Sequence, residues 1–378
     1  MDRVNILIIG GGVVGCAAAA ELASRWDNVF LVEQLPRLGM ATSTRNSGVL
    51  HSGLYYAPGS LKARLCVAGN RLSYEFCSAH KVPHRRTGKL IVAAAAGEEL
   101  RLSLLAENGR TNGVEGLRLV DRAAVRAREP HIAGHAALEV PSAGIVSSEE
   151  LVKAWARVAL DRGASLLTHT RVVRLEPRSD AIRVTIHVGD SENPSNVVVE
   201  TVDAACVVNS AGLHADEVAA LLGNHRFRIY PVRGEYCELV RSKSHLVQSL
   251  VYPLPHAEGL SLGVHLTKTL YGTVLVGPTA RYVSEKTDYE RDRLSTEEFA
   301  RRAKSLLPEI EPADLTLAYS GLRPKLVPPG SAGFADFVIE RDPEFPRVIQ
   351  LIGLDSPGLT AAPSIARHVT SLASEILN

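Results

Sequence analysis

The sequence predicts an α/β protein of two domains, one built on a parallel β-sheet and the other on a mostly antiparallel sheet. A strand, a glycine-rich turn, a helix and a second strand occupy the first 33 residues, and this is the building unit of a parallel sheet. A later stretch, from 227 to 279, consists largely of short β patterns. The length of 378 residues exceeds what one hydrophobic core commonly serves, so we expect more than one domain.

Composition places the chain among globular proteins and excludes several partners. Hydrophobic residues make up 46% of the sequence, and 42 Lys and Arg residues nearly balance 41 Asp and Glu. The net charge of +1 gives no electrostatic reason to expect nucleic acid as a partner. The five cysteines are odd in number and form no C-x-x-C pair, which favours a reducing compartment. No apolar run reaches the ~18 residues of a membrane span. We therefore expect a cytoplasmic protein without a transmembrane segment, and peripheral membrane attachment stays open.

The glycine-rich turn carries the first chemical signal. Residues 4–9 form a β-branched run, and Gly10, Gly12 and Gly15 follow it in the spacing G-x-G-x-x-G. Gly10 permits the tight turn, Gly12 lets the backbone approach a pyrophosphate, and Gly15 lets the helix pack on the strand. The free N–H groups at the start of that helix, predicted over 16–25, attract the phosphates. The pattern is typical of a Rossmann-like dinucleotide-binding unit.

The next elements complete this unit. The second strand, 29–33, ends in Glu33, a carboxylate suited to the hydroxyls of an adenosine ribose. Segment 41–48 is dense in hydroxyls and amides, which suit the ribityl chain and pyrophosphate of a flavin, and no third βα unit of a nicotinamide domain follows. We predict bound FAD, held non-covalently, with a covalent tether through His51 as the open alternative. The predicted contacts are Gly10, Gly12, Val13, Val14, Gly15, Glu33, Gln34, Thr42, Ser43, Arg45, Asn46 and Ser47.

Several segments resemble one family of flavoenzymes. Residues 41–47, 50–56 and 58–63 resemble the D-amino-acid-oxidase (DAO) superfamily of FAD enzymes, and 88–93 and 353–360 match it too. Within the superfamily the chain most resembles the L-2-hydroxyglutarate dehydrogenases and oxidases, with glycerol-3-phosphate dehydrogenase a more distant relative. The resemblance extends over nearly the whole chain.

This resemblance implies a domain division and further cofactor contacts. It implies a discontinuous, Rossmann-like FAD-binding domain of the GR2/DAO type, formed by 1–83, 145–225 and 321–378. The substrate domain, a mostly antiparallel β-sheet, would comprise 84–144 and 226–320. A hairpin-like loop is predicted over 190–196 and a strand over 260–266. The family pattern places further FAD contacts at Val172, Val173, Ala211, Gly212, Gly358, Leu359 and Thr360.

The oxidation of an alcohol by FAD requires a base for the hydroxyl proton, and histidine has a suitable pKa. His265 is the first candidate, because its strand resembles the substrate-facing strand of the family. His51 is the second, with contact to the flavin as its alternative role. His131 and His135 have a metal-like spacing, but Gly134 lies between them and no acidic partner is evident, so we predict no metal site.

A carboxylate substrate requires cations. Arg323 stands at a position like the carboxylate-binding arginine of the superfamily, and Lys325 and Arg233 are candidates for a second carboxylate. Tyr55 and Tyr56 would cap the pocket or pack beside it.

The resulting hypothesis is the oxidation of a small anionic 2-hydroxy acid, above all L-2-hydroxyglutarate to 2-oxoglutarate. Oxygen, a quinone or an electron carrier would accept the electrons. The alternatives are a related amino-acid or 2-hydroxy-acid oxidase, a glycerol-3-phosphate dehydrogenase and, as a non-enzyme, a flavin-binding redox sensor.

Overall fold

The computed structural model describes residues 2–189, 197–255, 263–331, 333 and 335–378. The predicted loop over 190–196 and the first part of the predicted strand, 260–262, lie outside these described residues. The described chain forms an eight-stranded, a nine-stranded and a three-stranded sheet. No helix in the described ranges is both long and apolar enough to cross a bilayer.

The eight-stranded sheet carries the amino-terminal unit. Its strands are β1 (Asp2–Ile9), β2 (Val29–Val32), β9 (Ser165–Leu167), β10 (Thr170–Pro177), β11 (Ile182–Val188), β12 (Val198–Asn209), β19 (Val338–Arg341) and β20 (Val348–Ile352). The order is β10-β11-β12-β1-β2-β9, and β20 joins β12 with β19 beside it. β1 pairs in parallel with β2 and with β12, as the Rossmann-like prediction requires.

Helices cover this sheet and form its largest core. They are α1 (Val13–Leu22), α2 (Leu61–Ala79), α5 (Ser148–Asp161) and α8 (Gly358–Leu377), with the short α6 (Ala215–Ala220) after β12. Residues Ala17 to Ala20 of α1 are completely buried, because α1 lies between the sheet and helices α5 and α8. Along β1, Ile6 and Ile8 pack on the α1 side while Leu7 and Ile9 pack on the opposite side, so both faces of the strand are buried.

The nine-stranded sheet forms the second layer. Its strands are β5 (Lys89–Ala93), β6 (Arg118–Asp121), β7 (Ala136–Val140), β13 (Tyr230–Leu239), β14 (Leu250–Pro253), β15 (His265–Lys268), β16 (Val274–Gly277), β17 (Arg281–Tyr282) and β18 (Leu315–Lys325). The pairings are antiparallel except for β14 with β5. Helices α3 (Glu99–Thr111), α4 (Arg122–Arg128) and α7 (Thr296–Ala303) belong to this half.

Two boundaries differ from the sequence-based expectation. β18 continues to Lys325 and pairs with β13 along its length, so residues 321–325 belong to the second sheet and not to the cofactor half. α1 begins at Val13 and not at Cys16, because Gly12 adopts the extended backbone of a helix cap.

A small sheet lies between these parts of the chain. It consists of β3 (Val49–Leu50), β4 (His84–Arg85) and β8 (Gly144–Val146). β3 directly follows segment 41–48 and pairs with β8, which directly precedes α5. The small sheet therefore holds the polar segment close to α5 and the eight-stranded sheet.

Candidate active site

The glycine turn is shaped for close approach of a ligand. Gly10 has a φ of +107°, and a Cβ there would lie 2.6 Å from the carbonyl oxygen of Ser210. A Cβ on Gly15 would lie 2.0 Å from the carbonyl oxygen of Gly10. Ser43 Oγ accepts a hydrogen bond of 2.8 Å from the Val13 N–H, so segment 41–48 closes over the start of α1. The turn leaves no room for side chains and presents backbone N–H groups, which is the geometry of a phosphate cradle.

Glu33 is held in place by backbone groups. Its two carboxylate oxygens accept hydrogen bonds from the N–H of Gly11, at 2.7 Å, and of Leu35, at 2.9 Å. Each oxygen keeps a second lone pair for a ribose hydroxyl. The Glu33 carbonyl accepts from Thr170 at the start of β10, which brings β10 beside the end of β2. Val173 falls at a bulge of β10, where its backbone is out of register with β11.

Segment 41–48 is cross-linked by its own side chains. Asn46 donates to the Ser43 carbonyl at 2.7 Å and accepts from the Gly48 N–H at 2.8 Å. Thr42 donates to the carbonyl of Leu322 on β18, at 2.9 Å. Gly321, also on β18, is required there because a Cβ would lie 2.0 Å from the Arg45 carbonyl. The two halves of the molecule are therefore in direct contact at this segment.

The start of α8 lies against the same region. Thr360 accepts a hydrogen bond of 2.9 Å from the His51 N–H, so its hydroxyl anchors the chain after β3. Gly358 and Leu359 line the cavity described next, whereas Thr360 is completely buried behind it. After β12, the Ser210 N–H donates to the carbonyl of Ile9, which places Gly212 beside the glycine turn.

One cavity runs from the glycine turn to the second sheet. Among the predicted cofactor contacts its walls include Gly12, Val13, Val14, Gly15, Thr42, Ser43, Arg45, Asn46, Ser47, Gly212, Gly358 and Leu359. All five predicted catalytic residues also line it: His51, Tyr56, His265, Arg323 and Lys325. Seven predicted cofactor contacts lie outside these walls: Gly10, Glu33, Gln34, Val172, Val173, Ala211 and Thr360. The cavity thus joins the phosphate cradle to the proposed chemistry.

Arg323 enters this cavity from β18, opposite β13. The strand alternation of β13 turns Gly234 and Tyr236 toward the cavity. The Tyr236 hydroxyl makes hydrogen bonds with Ser47 and Arg323; burial raises the pKa of Tyr236, while Arg323 acts in the opposite direction. Gly234 leaves space for the guanidinium, because a Cβ there would lie 2.9 Å from an Arg323 nitrogen.

Arg233 has a different role from the predicted one. The alternation that turns Gly234 into the cavity turns Arg233 away from it, and Arg233 is completely buried. Its guanidinium lies 3.0 Å from Glu235 Oε1 and 2.7 Å from Asp288 Oδ1, and it donates to the Arg291 carbonyl. The Arg233 guanidinium is therefore paired within the protein interior and does not reach a substrate carboxylate.

A buried ion-pair group lies beside the start of α8. Asp355 Oδ1 is 2.7 Å from Lys62 Nζ, and Asp355 Oδ2 is 3.0 Å from Lys325 Nζ. Burial alone would raise the pKa of Asp355, but the two ammonium groups hold this pKa below its ordinary value. The group carries one net positive charge, so it leaves the cavity wall electropositive.

The two candidate histidines are held in different ways. His265 Nδ1 lies 3.1 Å from the Gly263 carbonyl and therefore carries the hydrogen, which leaves the Nε2 lone pair free to accept a proton. Burial, with the charges of Lys89 and Arg323, lowers the pKa of His265 to about 3. His51 Nε2 lies 3.2 Å from Ser356 Oγ. Burial and the same two cations also lower the pKa of His51, so both rings are neutral at pH 7.

Several residues of the site were not found from the sequence. Tyr252 lines the cavity and stacks on His265, with 3.7 Å between ring centroids. Tyr236, Lys62 and Asp355 were missed as well, and the only sequence signal for Lys62 was its place in a family-like segment. Lys89 lies in the family-like motif 88–93, and a lysine at the start of an apolar strand is an anomaly visible in the sequence, but the sequence assigns it no role.

The predicted absence of a metal site concerns a separate surface. His131 Nδ1 lies 3.0 Å from Glu309 Oε1, an acidic partner that the sequence did not reveal, and both residues border a depression that shares no lining residue with the cavity. Within the described ranges, no group of three or more His, Cys, Asp or Glu residues could hold a metal ion.

The fold and the cavity define a two-part flavoenzyme with a Rossmann-like cofactor half and a β-sheet cap. The sequence matches the family of FAD dependent oxidoreductases (DAO) over residues 5–372, and the chain belongs to this family. It is an FAD-dependent oxidoreductase. The glycine turn, the backbone-held Glu33 and the hydroxyl-rich segment fit FAD, because a Cβ on Gly10 or Gly15 would collide with neighbouring backbone and open the tight turn that faces a pyrophosphate.

Named relatives and solved structures agree with this assignment. The chain is 34% identical to L-2-hydroxyglutarate dehydrogenase, mitochondrial, of Arabidopsis thaliana, over 98% of this chain and 83% of that protein. It is 29% identical to L-2-hydroxyglutarate dehydrogenase of Indibacter alkaliphilus, over 97% of both. The FAD-bound L-alpha-glycerophosphate oxidase of Mycoplasma pneumoniae superposes with a TM-score of 0.85, at 27% identity over 99% of this chain and 95% of that chain.

Proposed function

We propose that the protein oxidises a small 2-hydroxy acid to the 2-oxo acid, with L-2-hydroxyglutarate as the preferred substrate and 2-oxoglutarate as the product. One observation carries the proposal: a cation, Arg323, and a neutral imidazole, His265, line the same cavity as the phosphate cradle. The names of the relatives support the substrate class. The reaction requires the substrate-binding cation, the base and the bound cofactor in one cavity.

Substrate binding rests on the positive charge of the cavity. Arg45 and Arg323 line the cavity. Asp355 also lines it, and its carboxylate is paired with both Lys62 and Lys325. A guanidinium binds a carboxylate through two parallel hydrogen bonds, which fixes the orientation of the acid. We assign Arg323 to the carboxylate next to the reacting carbon. Lys325 also lines the cavity, and its ammonium, 3.0 Å from Asp355 Oδ2, adds positive charge to the wall.

The proton step is assigned to His265. FAD, when bound, supplies the two-electron acceptor for the hydride that leaves the hydroxyl-bearing carbon. The hydroxyl proton passes to the Nε2 lone pair of His265 as the C=O bond forms, so one hydride and one proton leave the substrate. His51 is the alternative base, because its ring is also neutral and lines the same cavity.

Other residues of the wall position these groups. Helix α8 begins at Gly358 beside the cavity, so the positive end of its dipole stabilises negative charge there. Tyr56, whose hydroxyl bonds to Ser356, closes the side near His51. The electron acceptor and the cytoplasmic location stay predictions.

A second candidate reaction is the oxidation of glycerol 3-phosphate. The similarity to the glycerophosphate oxidase structure favours it, and an electropositive cavity accepts a phosphate as well as a carboxylate.

Anaerobic stopped-flow reduction of the bound flavin separates the candidates. The panel contains L- and D-2-hydroxyglutarate, L-malate, L-lactate, L-glutamate and glycerol 3-phosphate at equal concentrations. The proposal predicts the fastest bleaching with L-2-hydroxyglutarate and little with its D-enantiomer. Faster bleaching with glycerol 3-phosphate selects the second candidate, and no bleaching with any compound contradicts both candidates.

A further inference from the structure

A lysine that forms no ion pair with any described residue lies inside the nine-stranded sheet. Lys89 opens β5 and its side chain is completely buried. Its Nζ has no hydrogen-bond partner among the described residues. Its neighbours are aromatic: Nζ lies 4.6 Å from the ring centroid of Tyr55 and 4.5 Å from that of Tyr252. A buried ammonium is normally paired with a carboxylate or carbonyl, so this arrangement calls for a functional explanation.

The two tyrosines connect Lys89 to the cavity. Tyr55 and Tyr252 both line it, so a single layer of aromatic rings separates the ammonium from the substrate space. Tyr252 also stacks on His265. Further buried atoms here lack partners among the described residues, including Tyr55 OH, Tyr252 OH, His51 Nδ1 and His265 Nε2. The wall of the cavity formed by Tyr55 and Tyr252 therefore combines unpaired hydrogen-bonding groups with a cation that has no anionic partner among the described residues.

We propose that Lys89 is a specificity-determining residue that, from behind Tyr55 and Tyr252, selects ligands carrying a second negative charge. This inference rests on the proposed function for the identity of the substrate as a dicarboxylic hydroxy acid. Arg323 matches the first carboxylate, and the charge of Lys89 acts on the second across the rings. A charge at this depth acts strongly, because little water screens it.

The same charge acts on the two histidines. Burial lowers the pKa of both His51 and His265, and the charges of Lys89 and Arg323 lower it further, so both rings stay unprotonated but are weakened as proton acceptors. Lys89 is a positioning residue in this respect, since it acts through another group.

Lys89 also makes ligand binding depend on pH. Burial lowers the pKa of Lys89 to about 7, and the thiol of Cys66 acts in the opposite direction. The other titratable groups around it are Tyr55, Tyr252 and the two histidines, with Arg323 charged nearby. Burial raises the pKa of both tyrosines, so they stay neutral across the working range. Dianion affinity should therefore fall as the pH rises through about 7, because the ammonium form is lost.

The test uses the FAD-loaded protein and two ligands that cannot be oxidised. Isothermal titration calorimetry measures the affinity for glutarate, a dianion, and for valerate, a monoanion of the same carbon number, between pH 6 and 9. Lys89→Met removes the charge and keeps a chain of similar volume. Lys153→Met, on the exposed face of α5, is the control for net charge.

The proposal predicts that Lys89→Met weakens glutarate binding about tenfold at pH 6 and valerate binding less than threefold. It also predicts that the pH dependence of glutarate binding disappears in this variant and persists in Lys153→Met. Equal losses for the two ligands, an unchanged pH dependence, or a wild type that does not prefer glutarate would each overturn it. The proposed function has a separate test: hydroxy acids that fail to bleach the flavin contradict it without changing the dianion preference.

A second readout addresses the histidines. NMR titration of protein labelled with 13C at the histidine rings should show a higher pKa for His51 and His265 in Lys89→Met than in the wild type. Unchanged histidine titrations would remove the positioning role, because a lysine that only fills space does not alter them.

Discussion

The two ends of the cavity differ in how completely their polar groups are hydrogen-bonded. At the cofactor end, Glu33, Ser43 and Asn46 are each held by hydrogen bonds to neighbouring backbone groups. At the substrate end, the buried Nζ of Lys89 and Nε2 of His265 have no hydrogen-bond partner within the described part of the chain. An unsatisfied buried polar group costs about 1–3 kcal/mol, so the unpaired groups at the substrate end lower the free energy of unfolding.

This difference teaches which property each end contributes. The cofactor end is preorganised by local hydrogen bonds and close backbone contacts, so changes there should remove FAD. The substrate end holds hydrogen-bonding capacity in reserve for a ligand, so changes there should alter chemistry and leave the fold intact or stabilise it. The following predictions test the contrast.

The largest effect is expected at the glycine turn. Gly15→Ala places a Cβ 2.0 Å from the Gly10 carbonyl, so the turn must open and FAD affinity should fall by at least about a thousandfold. Absorbance of the purified protein near 450 nm measures the bound flavin. Gly163→Ala is the control, since its φ of +87° strains the backbone but nothing lies within 4 Å. The control should lose about 1 kcal/mol of stability and stay yellow. A yellow Gly15→Ala protein would contradict the cradle.

Replacement of His265 should reduce the rate of the chemistry. His265→Asn removes the base and should slow anaerobic flavin reduction by about 10²–10⁴-fold, with the flavin still bound. His51→Asn, measured in parallel, should have the smaller effect. The reverse order would transfer the role of base to His51.

Replacement of Arg323 should act mainly on substrate binding. Arg323→Met is expected to raise KM for L-2-hydroxyglutarate about a hundredfold, because it removes a charge-assisted pair of hydrogen bonds. Arg323→Lys keeps the charge without the planar guanidinium, so its KM should lie between those of Arg323→Met and the wild type. Steady-state kinetics measures both, and an unchanged KM would exclude Arg323 from carboxylate binding.

The smallest effect is the pH dependence of stability. The pKa of Lys89 is about 7 in the folded protein, against an ordinary value of 10.5. Between these values the unfolded chain binds the additional proton, so this residue makes the free energy of unfolding increase with pH. The increase is at most about 1.4 kcal/mol per pH unit. Lys89→Met should be more stable than the wild type at pH 7, and the difference should shrink by pH 9. Urea unfolding at both pH values measures this, and a destabilised variant would indicate a structural role.

Local motifs explain why the cofactor end was predictable from the sequence. Gly10 to Gly15, Glu33 and segment 41–48 lie within 48 residues, and each has a backbone or hydroxyl requirement that a short pattern expresses. The structure brings most of them to the cavity as expected.

The substrate end depends on contacts between distant strands, which single-sequence patterns do not encode. Lys62 and Asp355 are 293 positions apart in the chain and yet form an ion pair. Arg233 was misjudged because its neighbours gave no indication of the face of β13 on which it lies. His265 and Arg323 were selected through the family resemblance and not through spacing. Lys89 was visible as a charge in an apolar strand, but its function depends on aromatic rings from two other parts of the chain.

A crystal structure of the FAD-loaded protein with glutarate tests the central claim most directly. The account predicts the pyrophosphate at the glycine turn, one ligand carboxylate on the Arg323 guanidinium, and the other against the wall of Tyr55 and Tyr252. Glutarate bound outside this cavity, or with neither carboxylate on Arg323, would contradict the account.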